Sequence, residues 1–230
     1  MTPRYIARTS LLALLAVTLF QAGCASAPVT EPAIRADVVS EPEGVFISFR
    51  GKLMGQTPVE LPLSSFDEVV EVTTPNDEPP VLERRVKVLG PDRVQVQMRL
   101  TNEPSPLAKA LGLSGVVIFD YGDFTSFDVD KYELKPEAEA MLRRQAALLK
   151  DAFAGVDIYV CGHTDSSGEV DHNLGLSLNR AQAVADFLIA EGVDEARLRV
   201  QGFGSDYPIA SNADREGKAL NRRTELILPD

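Results

Sequence analysis

Residues 159–184 read YVCGHTDSSGEVDHNLGLSLNRAQAV, and this stretch decides the fold. It continues an apolar run, 156–160, with the length and composition of a strand. It then enters a run with Ala181, Val184, Ala185, Leu188 and Ile189 at the spacing of one helix face. Polar residues in the loop at a strand's carboxyl end are where α/β layers usually place ligand groups. Ser177 reads as the N-cap of the helix, which puts Arg180 in the first turn, against the helix dipole. An anion would compensate, and a guanidinium matches a carboxylate with two parallel donors. Asp165, fifteen residues earlier, offers the opposite charge. The pair reads either as a clamp for an amino-acid zwitterion or as an ion pair pinning the loop; spacing alone does not choose.

Outward from this stretch the pattern stays α/β. Val116-Val117-Ile118-Phe119, and a second candidate at 124–127, read as strand. Lys135-Pro136-Glu137 opens a helix to Asp151, with Pro at its first position and acids at its positive end. Gly192 ends the second helix, expected over 178–191, as a left-handed cap. Strands follow at 198–201 and 224–228, with a short helix from Asp214 to Leu220 between them. The fold class expected is α+β: a C-terminal βαβαβ(short α)β domain over 116–230, with both long helices on one face of a mixed sheet. Cys161 is expected as a partly exposed free thiol on the sheet face of Tyr159.

Upstream, 45–49, 68–72, 85–89 and 94–98 read as short strands, with Gly90-Pro91-Asp92 as a hairpin turn. They suggest a separate small antiparallel β module over 44–103, which Pro104-Ser105-Pro106 closes. Residues 24–43, rich in Ala, Pro, Val and Glu, read as a flexible tether. Arg4 and Arg8 precede an apolar run that ends at Ala22-Gly23-Cys24, the form of an export signal over 1–23. The ending resembles that of bacterial lipoprotein signals, which implies an acylated Cys24, carrying palmitate. The formal net charge of −11 argues against general affinity for nucleic acid.

Several spaced motifs together resemble the OmpA-like peptidoglycan-binding domains. They are Gly162-His163-Thr164-Asp165, Asn173, Leu176-Ser177-Leu178-Asn179-Arg180-Ala181, Gly202-Phe203-Gly204 with Pro208, and Asn221-Arg222-Arg223. The resemblance covers residues 116–228. It implies non-covalent binding of the peptidoglycan stem peptide through its diaminopimelate, with Asp165 for the ammonium and Arg180 for the carboxylate. It further implies that Asn173 lines the pocket, that Thr164 offers backbone donors, and that Asn221 with Arg222 or Arg223 adds a cationic element. A lipidated member of this family would face the periplasm from the outer membrane and tie that membrane to the cell wall. No catalytic residue, cofactor or metal is expected.

Two other readings stand beside this one. The chain could be a structural lipoprotein subunit of an envelope complex, with a protein partner at 44–103. Alternatively, His163, Asp165 and His172 could form the metal site of an envelope hydrolase. The glycine-rich turns 162–168 and 202–204 lack the spacing of a phosphate-binding fingerprint.

Overall fold

The computed structural model describes residues 34–78, 80–90, 92–122, 127–128, 130–151 and 153–230. The export signal, Cys24, and the strand expected at 124–127 apart from Phe127 lie outside these residues.

In chain order the strands are β1 Ile34–Glu41, β2 Phe46–Phe49, β3 Lys52–Gln56, β4 Val59–Leu63, β5 Val72–Thr73, β6 Glu83–Gly90, β7 Arg93–Arg99, β8 Val116–Gly122, β9 Ile158–His163, β10 Leu198–Gly202 and β11 Arg223–Pro229. The α-helices are α1 Pro106–Ala110, α2 Pro136–Asp151, α3 Val170–Ala190 and α4 Arg215–Asn221. Among the described residues, eight strands form one mixed sheet in the order β10-β9-β11-β8-β6-β7-β1-β4, and β3-β2-β5 form a smaller one.

Local chemistry explains the expected helices. Pro136 opens α2, with Glu137 and Glu139 in its first turn. Asp214 caps α4 by accepting from Gly217 N at 2.7 Å. Gly192 follows α3 at φ 89°, a conformation cheap only for glycine. Alternation along the strands divides the sheet into two faces. One buries Val86, Val96, Phe119, Val160 and Leu226 together with Leu142 and Leu149 of α2 and Val184 and Leu188 of α3. Both long helices thus cover the same face, as expected. Farther along, Ile47, Phe49, Val69 and Val72 complete that core.

Three expectations need correction. Residues 34–41 are not tether but β1, with Ile34, Ala36, Val38 and Ser40 buried in alternation. It pairs in parallel with β7 from Arg35↔Arg93 to Glu41↔Arg99, a partner too distant in sequence to be suggested by local composition. Residues 68–72 are mostly a 3₁₀ turn, Phe66–Glu71, rather than a strand. The Glu68 carboxylate accepts from Ser64 N at 2.8 Å and from Arg50, which binds the bend to its surroundings. Finally, the β-rich segment is not a separate module: β6 pairs in parallel with β8 from Glu83↔Val116 to Lys87↔Asp120. The sheet runs unbroken across the expected junction, and Glu31–Asp230 forms one compact unit. The Pro104-Ser105-Pro106 stretch starts α1, with Ser105 as cap.

Side chains strengthen that seam. Arg85 of β6 reaches across β8 and pairs with the fully buried Glu225 of β11, and Asp120 of β8 lies 3.4 Å from the same guanidinium. Arg223 adds a second donor to Glu225 at 2.7 Å. Burial disfavours the Glu225 anion, but Arg223 and Arg85 outweigh it and hold the carboxyl well below its usual range. Removing one member of such a buried pair typically costs about 3–5 kcal/mol.

Candidate functional site

The loop after β9 carries the site. Gly162 and Gly202, register partners on β9 and β10, let the sheet press directly on the α3 backbone. A Cβ at Gly162 would sit 2.0 Å from Ser177 O, and one at Gly202 would sit 2.5 Å from Leu178 N. Ser177 Oγ donates to Leu174 O at 2.9 Å and accepts from Gly204 N at 2.9 Å, joining the helix to the loop after β10. Ser177 is therefore an interior helix residue. The helix begins at Val170, so Arg180 lies in its middle and the dipole argument for that residue does not hold.

Asp165 is held from two sides. Its Oδ2 accepts from Arg222 Nη1 at 2.8 Å, and its Oδ1 accepts from Ser167 N at 2.7 Å. Burial alone would push the carboxyl up, but the Arg222 guanidinium and the Ser167 N–H together hold it below the usual range. Asn173 closes the loop with Nδ2 donating to Ser167 O at 2.8 Å and to Asp165 O at 3.4 Å. Lys218 Nζ lies 3.0 Å from Ser167 Oγ. Ser166 N donates to Asn212 Oδ1, which also accepts from the fully buried Asn221 at 3.0 Å. The Asn221 side-chain oxygen, Oδ1, accepts from Ile209 N and Ala210 N. Asn221 and Asn173 are thus positioning residues that shape the loops around Asp165.

The remaining expected site residues behave differently. The Thr164 backbone N–H is already engaged with Gly204 O at 2.8 Å, so it is not the open donor that was expected. The buried Thr164 hydroxyl has no partner among the described residues. Arg223 is buried on the opposite sheet face, bonded to Glu225 and to Tyr207 O at 3.0 Å. Arg222, one residue earlier on an extended backbone, points the other way and meets Asp165. The cationic element beside Asp165 is therefore Arg222. The Arg180 guanidinium donates to Lys131 O at 2.9 Å and to Asp128 O at 3.2 Å, and stacks over Phe127 at 5.1 Å. These contacts fasten α3 to the segment before α2. His172 does the same at the start of α3, with Asp130 at 2.8 Å.

The histidines have different partners. His163 stacks on Phe203 and lies 3.3 Å from Glu225, while His172 meets Asp130. Among the described residues no group of three His, Cys, Asp or Glu side chains is arranged to hold a metal. Cys161 shares the Tyr159 face as expected but is buried rather than partly exposed, and burial pushes its thiol strongly up.

A mixed sheet backed by two helices, with an Asp–Arg pair joining two loop ends, defines an α+β domain with a small polar cluster beside β9. The OmpA family model matches residues 126–222. The chain is 38% identical over 123 residues to the putative lipoprotein YfiB of Escherichia coli, spanning 52% of this chain and 69% of that relative. It therefore belongs to the OmpA family. It is 43% identical over 112 residues to the probable lipoprotein YiaD of Escherichia coli, spanning 49% of this chain and 51%, about half, of that relative. With the peptidoglycan-associated lipoprotein of Pseudomonas aeruginosa it shares 38% identity over 100 residues, spanning 44% and 58% of the two chains.

Proposed function

We propose that this chain binds peptidoglycan non-covalently through the diaminopimelate of the stem peptide. The observation that carries the reading is the Asp165–Arg222 pair, whose Arg222 side chain keeps 32% of its surface in contact with solvent. A zwitterion can insert into such a pair so that each charge exchanges one partner for another of the same sign. The ligand ammonium replaces Arg222 beside Asp165, and the ligand carboxylate takes the planar Arg222 donors. Neither protein charge is left uncompensated, which keeps the cost of opening the pair small. Asn173, Asn221 and Arg180 position the loops, and Thr164 joins them through its bond to Gly204. Membership of the family, and the name of the Pseudomonas aeruginosa relative, support a wall ligand. Acylation of Cys24 would anchor the chain in the outer membrane and make it a tether between that membrane and the wall.

Co-sedimentation of the full chain with purified diaminopimelate-type sacculi tests the reading. Wild-type protein should pellet, and both Asp165→Asn and Arg222→Gln should remain largely in the supernatant while still folded. Equal pelleting of all three proteins would reject this assignment of the site.

A further inference from the structure

The sheet face opposite the two long helices bears a second recognition feature, distinct from the Asp165 loop. A cavity of about 440 Å³ opens between the β1, β6 and β7 strands, α1 and the 206–209 loop. This is within the usual size of small-ligand sites. Most of its floor comes from residues before 126, outside the span matched by the family model.

The charges in this cavity are unusually available. Arg99 is the register partner of Glu83 on one side and of Glu41 on the other, close enough for either side chain to reach it. Yet the Arg99 and Glu41 side chains form no hydrogen bond or ion pair among the described residues, and neither does Lys87 at the cavity wall. Glu83 is 91% buried, since only 9% of its surface is exposed. One of its oxygens lies 3.4 Å from Arg85, and the other, Oε2, is buried without a partner among the described residues. A buried carboxylate oxygen left this way costs free energy until a donor reaches it. Two further lining cations, Arg85 and Arg223, are already matched by Glu225 and Asp120. What faces the cavity is therefore Glu41, Glu83 and Asp206 against Lys87 and Arg99. A phosphate would meet three carboxylates, and a polyamine would meet two cations. A compact molecule with an ammonium at one end and a carboxylate at the other satisfies both sets, and charge-assisted donors suit Glu83 Oε2 better than neutral hydroxyls.

We propose that this cavity is a binding site for a zwitterionic amino compound of amino-acid to dipeptide size, with its ammonium at Glu83 and Glu41 and its carboxylate at Arg99 and Lys87.

The test is an NMR titration of the isotope-labelled full chain with L-alanyl-L-alanine, followed at the Gln97 side-chain amide and at Tyr207, both of which line the cavity. Saturable shifts are expected at these positions. Glu83→Gln and Arg99→Gln should each weaken binding about tenfold or more, consistent with loss of one charge-assisted contact. Asp165→Asn should leave the titration unchanged, which separates this site from the one proposed above. Absence of saturable shifts up to about 10 mM, near the weak limit of specific affinity, would overturn the proposal. So would equal binding of N-acetyl-L-alanyl-L-alanine amide or of chitobiose, which carry no zwitterion, or loss of the shifts in Asp165→Asn.

Discussion

Asp165 and Arg222 meet at 2.8 Å although 57 residues separate them in the chain. The contact joins the loop after β9 to the end of α4, so the two polar arms of the site are set by one ion pair. Asp165→Asn should lower stability at neutral pH by about 1 kcal/mol, less than a fully buried charged bond because Arg222 touches solvent. The Asp165 carboxyl is held below its unfolded value of about 3.9. Its contribution is therefore complete above that pH and is lost as pH falls through the folded-state value. Urea melts of the two proteins should differ at pH 7 and converge in strong acid. A gap that persists unchanged in acid would show that the carboxylate charge is not its source.

Arg180→Ala should destabilise the fold even without ligand. The guanidinium is 3% exposed and bonds the backbone carbonyls of Lys131 and Asp128, so its loss unfastens α3 from the segment before α2. A loss of about 3 kcal/mol is expected, and Arg180→Lys should recover little of it because one ammonium cannot reproduce the fork of donors. Denaturant melts decide the matter. A fully stable Arg180→Ala protein that has lost wall binding would make Arg180 a ligand contact instead.

Gly162→Ala should be strongly destabilising. The new Cβ would overlap Ser177 O, a backbone atom of α3 that cannot rotate away. Overpacking of this kind costs about 1–3 kcal/mol, and here the upper end is expected because the clash is with backbone. Thermal melting that matches wild type would mean that α3 slides away from the sheet at little cost.

His163 gives the fold a mild acid sensitivity. Burial, the largest influence, lowers the pKa of its imidazole relative to the unfolded chain, against an opposing pull from Glu225. Below about pH 6.5 the unfolded state takes up a proton that the folded state refuses. Stability is therefore full above that pH and declines as pH falls beneath it. His163→Asn should flatten the slope of unfolding free energy between pH 7 and 5. An unchanged slope would place the sensitivity in other groups.

Cys24→Ser should release the chain from membranes if acylation is the anchor, since stable attachment needs more than one acyl chain. Intact-mass measurement of the membrane-extracted protein checks this directly. An unmodified residue 24 would exclude the tethering role.

Much of the C-terminal order was legible because its signals are local. Lys135-Pro136-Glu137, the Asp214 cap and Gly192 each announce a helix boundary through their own backbone chemistry. The start of α3 was hidden for the opposite reason. Leu174 and Leu178 are 47% and 45% exposed, so apolar periodicity points the wrong way over that segment. The glycines of β9 and β10 instead bring the sheet against its backbone. The contacts of Arg180 are hidden with the helix start, since its carbonyl partners lie 49 and 52 residues away. The alternation in Ile34-Arg35-Ala36-Asp37-Val38 could have revealed β1, but its pairing with β7 and the β6–β8 join depend on distant partners. The seam cavity is legible only after those pairings are known.

The unbroken sheet also determines how the molecule carries mechanical load. A pull along β1 from residue 34 acts on a strand flanked by β7 in parallel and β4 in antiparallel orientation, with seven paired positions toward β7 alone. Tension along the strand axis loads those bonds together, in shear, rather than peeling them one after another. Forced unfolding is governed by the height of the unfolding barrier rather than by equilibrium stability. The first of the described strands is thus stitched into the same plate that bears Asp165, and a force between the two is spread over the plate before it reaches any loop.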